Sequence, residues 1–309
     1  MNKLKFGTGG PPLTSKSRKT IDGIMRIHEL GLDNMEVEFV HGVKMTEVEA
    51  SKVAKLASKL EVDLTVHGPY YINLASLEKP IWYASINRII QSLKIGEILE
   101  AESVTFHSGF FQAQDSALVY KKVSDAIREI IRKFDFHNKK IRLSPELTGK
   151  PTQFGDLDDL IKLAEEFKQI DLRFCIDFAH KFARSNGVFN GYEKTCEILN
   201  SIKKMLGEKF LKEMHIHLSN IDYSKKGERN HLTYLPDACD YINIIKNIPE
   251  EKIKSILDTL PEKKLKPGEF RWMETIEVLK EYKVTGWVVC ESPVLELDAL
   301  VMKDYYSRC

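Results

Sequence analysis

The sequence has few cysteines and no long hydrophobic run, and each shortage excludes a class of protein. The five cysteines are Cys175, Cys196, Cys239, Cys290 and Cys309. They show no paired spacing, so thiols in a reducing compartment fit better than a disulfide framework. No apolar run approaches the roughly 20 residues of a membrane span, and Met1–Lys5 lacks the apolar segment of a signal peptide. We therefore expect a cytoplasmic protein with no membrane partner.

The sequence also lacks an excess of charge of either sign. Its 46 Lys and Arg residues nearly balance 45 Asp and Glu residues, which leaves a net charge of +1. Bulk electrostatics therefore neither requires nor excludes a nucleic-acid partner, and any basic footprint has to be local. The length of 309 residues suits one large barrel or two small domains. We expect a monomer.

Short β-rich runs alternate with longer runs of helical period. The predicted strands are Leu4–Gly9, Asn34–Val40, Asp63–Tyr70, Ser103–Gly109, Arg142–Thr148, Leu172–His180, Glu213–Asn220 and Gly286–Pro293. Between them, segments such as the one carrying Ile86, Ile89 and Leu93 place apolar residues on one helical face. Eight strands separated by helices predict a parallel (β/α)8 TIM barrel, an α/β fold.

One stretch, about 222–266 between the seventh and eighth strands, is too long for a plain connection between a strand and a helix. Pro236, Pro249 and Pro261 interrupt it. We predict an insertion with short helices of its own. Because no boundary elsewhere favours two domains, the interpretation is a single TIM-barrel domain over 1–309.

Potential metal ligands recur at the carboxyl ends of these strands. They are Glu38, His67, His107, Glu146, Asp177, His217 and Glu291. A barrel gathers those ends into one mouth, where such folds carry their chemistry. Buried carboxylates need a compensating charge, and nitrogen and oxygen ligands without thiolate suit zinc, manganese or iron. The pattern therefore predicts a site for several divalent cations.

Two strands carry a second inward-facing polar residue, because alternate side chains of a strand share one face. Glu36 alternates with Glu38, and His215 alternates with His217. We expect Glu38 at the floor of the site and Glu36 paired with a Lys or Arg deeper in the barrel. His215 is expected in a layer behind His217.

Several motifs, in order from about residue 4 to 295, resemble a known family. They are His67–Leu74, Phe106–Gly109, Pro145–Thr148, Ile176–Ala183, His217–Asn220 and Glu291–Pro293. Together they resemble endonuclease IV, the zinc-dependent apurinic/apyrimidinic endonuclease of DNA repair, within the xylose-isomerase-like barrel superfamily. The resemblance implies a hydrolase that cleaves duplex DNA on the 5′ side of abasic sites. Paired metal ions activate water and bind the scissile phosphate in such chemistry.

The resemblance also implies a ligand set for two or three zinc ions, with manganese as a possible substitute. The first ion would be bound by His67, His107 and Glu146, and the second by Glu146, Asp177, His217 and Glu291. Glu146 would bridge this pair, and Glu146 and Glu291 are the expected catalytic carboxylates.

The third ion would be bound by His180 and a later Asp-x-His pair, which this sequence does not match. Arg229 stands where the Asp is expected. We therefore take His231 as the histidine of the pair and Glu228 as the replacement for the missing acid.

Binding of DNA requires positively charged side chains at the mouth of the barrel and a side chain there that can insert into the duplex. The expected contacts are Tyr70, Lys181, Lys225, Lys226 and Arg229. Tyr70 matches a residue that contacts DNA in the family, and the others are predicted loop charges.

Two other functions remain open. A sugar or hydroxy-acid isomerase or epimerase needs one metal, for which Glu146, Asp177, His217 and Glu291 suffice. The additional histidines His67, His107, His180 and His231 would then be surplus. A catalytically silent nucleic-acid-binding barrel would bind little metal, so the metal content separates it from the enzymes.

Overall fold

The computed structural model describes residues 3–266 and 268–309, in which eight parallel strands form a nearly closed barrel. The strands along the chain are β1 (Leu4–Gly9), β2 (Asn34–Glu38), β3 (Asp63–His67), β4 (Ser103–Phe106), β5 (Arg142–Pro145), β6 (Cys175–Asp177), β7 (Met214–His217), β8 (Asn220–Ser224), β9 (Gly227–Leu232) and β10 (Gly286–Cys290). The barrel order is β5-β4-β3-β2-β1-β10-β7-β6. A parallel bridge between Glu146 and Cys175 joins its two ends. The predicted TIM barrel is confirmed.

Helices surround the barrel and connect successive strands. They are α1 (Thr20–Glu29), α2 (Glu47–Lys59), α3 (Lys79–Ile98), α4 (Ser116–Lys133), α5 (Leu157–Glu166), α6 (Phe178–Arg184), α7 (Gly191–Leu206), α8 (Ala238–Ile244), α9 (Glu250–Asp258), α10 (Trp272–Glu281) and α11 (Glu296–Arg308). Helix α4 shows why they dock: Val119, Val123 and Ile127 recur on one face and are buried. Among the described residues, no helix is both long and apolar enough to span a membrane.

The predicted strands extend further at their carboxyl ends than the observed strands do. The predicted metal ligands lie where the observed strands end. His67, Asp177 and His217 are the last residues of β3, β6 and β7. His107, Glu146 and Glu291 each follow the last residue of their strands directly. All six therefore stand at the rim where the barrel ends.

The insertion begins differently from the prediction. Its first part is an antiparallel hairpin of β8 and β9, and the short helices α8 and α9 follow. The later part packs on α11, where the Tyr241 hydroxyl donates to Asp298 Oδ1 at 2.5 Å and the Tyr234 amide donates to Oδ2 at 3.1 Å. The insertion is thus anchored to the barrel by a buried carboxylate.

A candidate multi-metal centre at the barrel mouth

Glu146 lies at the centre of the residues that converge on the mouth. Its Oε2 is 3.2 Å from His67 Nε2 and 3.3 Å from His107 Nε2. Its Oε1 is 3.3 Å from His217 Nδ1 and 3.3 Å from His180 Nδ1. Because each carboxylate oxygen faces different histidines, Glu146 has the geometry of a bridging ligand.

The first group of potential ligands is His67, His107 and Glu146, whose ligand atoms all lie within 4.8 Å of one another. His67 Nδ1 is 2.7 Å from the carbonyl oxygen of Gly68. A carbonyl only accepts, so this contact places the proton on Nδ1 and leaves the lone pair of Nε2 directed at the cluster. His67 is buried, whereas His107 is partly open to solvent.

The second group is Glu146, Asp177, His217 and Glu291. Glu291 Oε2 is 3.3 Å from His217 Nδ1. Asp177 begins α6, and its Oδ1 accepts from the His180 amide at 2.8 Å. Asp177 Oδ2 and His217 Nδ1 are buried and have no hydrogen-bond partner among the residues that the structure describes. Unpaired buried polar atoms are costly, and a divalent cation between these donors would satisfy both, so the residues fit a metal ion.

The third group is His180, Glu228 and His231. His180 Nδ1 lies 3.0 Å from the carbonyl oxygen of Leu147, which leaves Nε2 facing Glu228 Oε2 at 3.6 Å. His231 Nδ1 lies 2.6 Å from Ser219 Oγ. The predicted replacement of the missing acid by Glu228 is therefore compatible with the geometry.

A β-bulge explains how Glu228 and His231 come into the same ligand group. Asp222 pairs with Asn230, but the next residue, Tyr223, pairs with Glu228. Arg229 is therefore the extra residue of the hairpin. In a regular strand, residues three apart face opposite sides, and one bulged residue restores the shared face.

Two glycines allow this hairpin to approach the loop after β5. The Glu228 amide donates to the carbonyl oxygen of Gly149 at 3.0 Å. A Cβ on Gly149 would lie 2.7 Å from the Cβ of Glu228 and 2.9 Å from Cδ2 of His180. Gly227, at φ +91°, would bring a Cβ within 2.4 Å of the same carbonyl. The geometry of the third group therefore requires glycine at positions 149 and 227.

A buried polar layer lies beneath the second group, and here one expectation is wrong. Within the described part of the chain Glu36 pairs with no Lys or Arg; instead its Oε2 is 2.8 Å from His215 Nε2 and its Oε1 is 2.9 Å from His217 Nε2. The Thr65 hydroxyl donates to Glu36 Oε2 at 2.9 Å. His215 is behind His217 as expected, with Nδ1 3.0 Å from Ser103 Oγ. Inward alternation in β2 and β7 was the available signal for this pairing.

Glu38 lies at the mouth close to two other acids, Glu36 on β2 and Glu291 directly after β10. Carboxylate oxygens of Glu36, Glu38 and Glu291 lie within 4.8 Å of one another. Burial, together with the charges of Glu36 and Glu291, raises the pKa of Glu38 to about 8. Nearby His67 opposes this rise. Its predicted place at the floor of the site is consistent with these contacts.

Burial and neighbouring charges shift the pKa values of individual members of the cluster. Burial opposes ionisation, but His107 and His217 hold the pKa of Glu146 well below its usual range. Burial alone would lower the pKa of His67, but its bond to Glu146 and the charge of Glu38 raise it to about 10. Burial raises the pKa of Asp177 to about 7. Because ligands bind cations only after losing these protons, metal binding releases protons.

The residues predicted to contact DNA divide into two sets. Tyr70 is 58% exposed after β3, and Lys225, Lys226 and Arg229 are exposed on the hairpin. Lys181 does not match its prediction as a loop charge. It is on α6 and buried, with Nζ 2.5 Å from Asp156 Oδ1. That ammonium is neutralised within the protein.

Comparison with known proteins gives a family and two kinds of structural neighbour. The profile described as xylose isomerase-like TIM barrel matches residues 24–303. An uncharacterized protein of Methanocaldococcus jannaschii is 34% identical over 99% of this chain and 97% of its own length. A protein named "Probable endonuclease 4" from Sulfurihydrogenibium sp. is 27% identical over 61% of this chain and 67% of its own length.

Solved structures match nearly the whole chain at low sequence identity. A D-tagatose 3-epimerase-like protein has a TM-score of 0.66 at 16% identity, covering 98% of this chain and 96% of its own. Endonuclease IV from Thermus thermophilus has a TM-score of 0.64 at 14% identity, covering 98% of this chain and 100% of its own. These likenesses establish the fold, and they do not separate the two chemistries.

Proposed function

The chain belongs to the xylose isomerase-like TIM barrel family, and we propose that within it the protein is a zinc-dependent phosphodiesterase that cleaves DNA on the 5′ side of abasic sites. Among the potential ligand groups in the described residues, the three described above carry this proposal, because they meet at one mouth and two of them share Glu146. A single-metal enzyme needs only the group of Glu146, Asp177, His217 and Glu291. Homology to proteins named "Probable endonuclease 4" supports the same reading.

The donor sets suit zinc. The three groups consist of imidazole nitrogens and carboxylate oxygens without thiolate, a choice that zinc accepts and that also admits manganese. Zinc bound there would activate water and polarise a phosphodiester. The first group offers one partly exposed ligand, His107, on its solvent side. A substrate can therefore approach from the mouth without displacing the buried His67.

The residues themselves supply the placement of the reacting groups. Glu146 directs one oxygen to each of two ligand groups, so it holds them at a fixed separation. Glu291 directs its own carboxylate to the same ring nitrogen of His217, Nδ1, that Glu146 approaches. Tyr70 stands exposed on the loop beside His67, with the two rings 5.8 Å apart. We assign it contact with the DNA next to the lesion.

A sugar epimerase or isomerase is the second candidate, and the acids on β2 favour it. Glu36 and Glu38 face inward toward Glu291, where an acid could move a proton on a bound sugar. In that case the second group would hold one ion, and the first and third groups would bind none.

The deciding experiment uses protein purified without chelator. Zinc content is measured by elemental analysis, and the same preparation is incubated with a duplex that carries one stable abasic analogue. We expect at least two zinc ions per chain and a single nick on the 5′ side, leaving a 3′ hydroxyl, without added magnesium. Glu146→Gln is the matched inactive control. A zinc-loaded preparation that leaves the duplex intact and interconverts ketohexoses would overturn the proposal.

A further inference from the structure

Two cavities on one side of the mouth share a wall. One, of about 1010 Å³, lies between the loop after β5 and the β8–β9 hairpin. The other, of about 690 Å³, lies against the loop after β4. Pro151 and Thr152 line both cavities. The two cavities therefore adjoin along Pro151 and Thr152, and the pair is called here the side groove, with one half at the hairpin and the other at the β4 loop.

The hairpin half of the side groove is basic. Lys150, Lys225, Lys226 and Arg229 line it. Within the described parts of the chain, the three lysines form no ion pair, and Arg229 has only a 3.8 Å contact with the half-exposed Asp222. These cations are therefore available to an anionic partner, which net charge alone did not indicate.

The other half of the side groove presents an aromatic ring. Phe110 is 43% exposed and lines this half. Its backbone is fixed, because it pairs with Gln153 in an antiparallel bridge and its amide donates to Asn73 Oδ1 at 3.3 Å. The next amide, of Phe111, donates to the Thr152 carbonyl at 2.9 Å. The ring is therefore presented to solvent from a fixed backbone, where its face is open to stacking.

The side groove leads into the candidate metal centre. Glu228 lines the basic half and is also a member of the third ligand group. His107, a member of the first group, precedes Phe110 by three residues on the same loop. A strand lying in the groove would therefore pass beside the third group with Phe110 at its far end.

We propose that the side groove binds an unpaired nucleic-acid strand, with one base stacked on Phe110 and the backbone along the lysines and Arg229. The combination of cations and an exposed ring matches the chemistry of single strands, whose phosphates and base faces are both accessible. A duplex offers the phosphates but keeps its base faces stacked inside. The inference rests on the proposed nuclease function and adds a preference for substrates with a single-stranded segment.

The test measures binding of a labelled oligothymidylate and of a blunt duplex of equal length by fluorescence anisotropy. Phe110→Ala should weaken oligothymidylate binding roughly tenfold and leave duplex binding within about twofold. Phe110→Tyr should restore the affinity, since it keeps the ring. Tyr83→Ala removes an aromatic residue that is 49% exposed on α3 and lines neither cavity, so it should change nothing.

The charges are tested by the salt dependence of the same binding. Four phosphate contacts predict a slope of log affinity against log salt of roughly −3 for a single strand. The double variant Lys225→Ala/Lys226→Ala should reduce its magnitude by about 1.4. The control Lys52→Ala/Lys55→Ala removes equal charge from exposed positions on α2 and should leave the slope unchanged.

The outcomes separate this inference from the proposed function. If Phe110→Ala leaves oligothymidylate binding unchanged, or weakens duplex binding equally, the side groove does not bind unpaired strands. Nicking of the abasic duplex is scored independently of binding. A protein that binds the oligothymidylate through Phe110 and fails to nick supports the groove and overturns only the proposed nuclease activity.

Discussion

Glu36 supports His217 from below: its Oε1 lies 2.9 Å from His217 Nε2, while the opposite ring nitrogen, Nδ1, is 3.3 Å from Glu146 Oε1 and from Glu291 Oε2. A carboxylate at the remote nitrogen of a ligating histidine fixes its tautomer and increases its basicity. Glu36 therefore has the position of a residue that orients a ligand without binding the ion itself.

Replacing Glu36 with Gln should weaken zinc binding at the second group by roughly 10- to 100-fold, because the support of His217 is lost. Competition with a zinc chelator measures this affinity. The control for loss of a carboxylate is Glu29→Gln, because Glu29 is largely exposed and pairs only with Arg26 among the described residues. Wild-type zinc affinity in the Glu36 variant would show that His217 needs no such support.

Replacing Glu146 with Gln should abolish nicking and lower the zinc content while the barrel stays folded. A bridging carboxylate faces both ligand groups, so the loss of its charge weakens both. Zinc stoichiometry, nicking rate and a thermal unfolding curve are measured on the same preparation. Full zinc content with near-normal turnover would contradict the bridging role.

Replacing Glu228 with Ala should reduce the zinc content by one ion per chain, because His180 and His231 alone offer only two donors. The first two groups contain neither Glu228 nor His231, so their ions should remain. Elemental analysis measures the change, and Glu250→Ala, which removes an exposed acid of α9 outside the three groups, serves as the control. No change in stoichiometry would remove Glu228 from the ligand set.

Replacing Tyr70 with Ala should impair the preference for abasic over intact duplex and leave the zinc content unchanged. The side chain is 58% exposed beside His67, and it belongs to none of the ligand groups. The ratio of the two duplex affinities is measured, with Tyr83→Ala as the control for an exposed tyrosine. An unchanged ratio would assign lesion recognition to other residues.

Asp298 should make stability depend on pH. Burial raises its pKa to about 7 in the folded protein, despite hydrogen bonds from Tyr241 and Tyr234. A folded-state pKa above the unfolded value of about 3.9 contributes stability that is complete below that value and is lost once the pH has risen through about 7. The free energy of unfolding of the wild type, relative to Asp298→Asn measured in the same metal state, should therefore fall between about pH 4 and 7. A difference that is flat over this range would contradict the raised pKa.

The barrel and the ring of ligands could be predicted because local pattern carries them. Alternating β-rich and helical runs indicate the fold, and parallel strands bring their carboxyl ends together whatever the details of packing. His67, His107 and Glu146 are far apart in the chain, and the structure brings them into one group as expected.

Long-range pairing could not be predicted in the same way. Lys181 follows Asp177 closely in the chain, but its burial depends on α6 starting at Phe178 and on Asp156, which caps α5 in the loop after β5. The contact of Glu36 with His215 and His217 crosses the barrel interior, so it depends on strand register and not on either local sequence. The β8–β9 hairpin contains mainly polar residues, and its pattern carried no strand signal.

The bulge at Arg229 affects how many residues can separate Glu228 and His231 while both side chains stay on one face. Coordination of an ion depends on which side chains lie on the same face of the strand, whereas a sequence motif is defined by the number of residues between them. Because the bulge absorbs one residue, the interval between acid and histidine lengthens by one with no change in the donors presented. Deleting Arg229 should therefore leave an equivalent pair at the shorter interval. Such a pair is recognised by the face that its side chains share and not by its spacing along the chain.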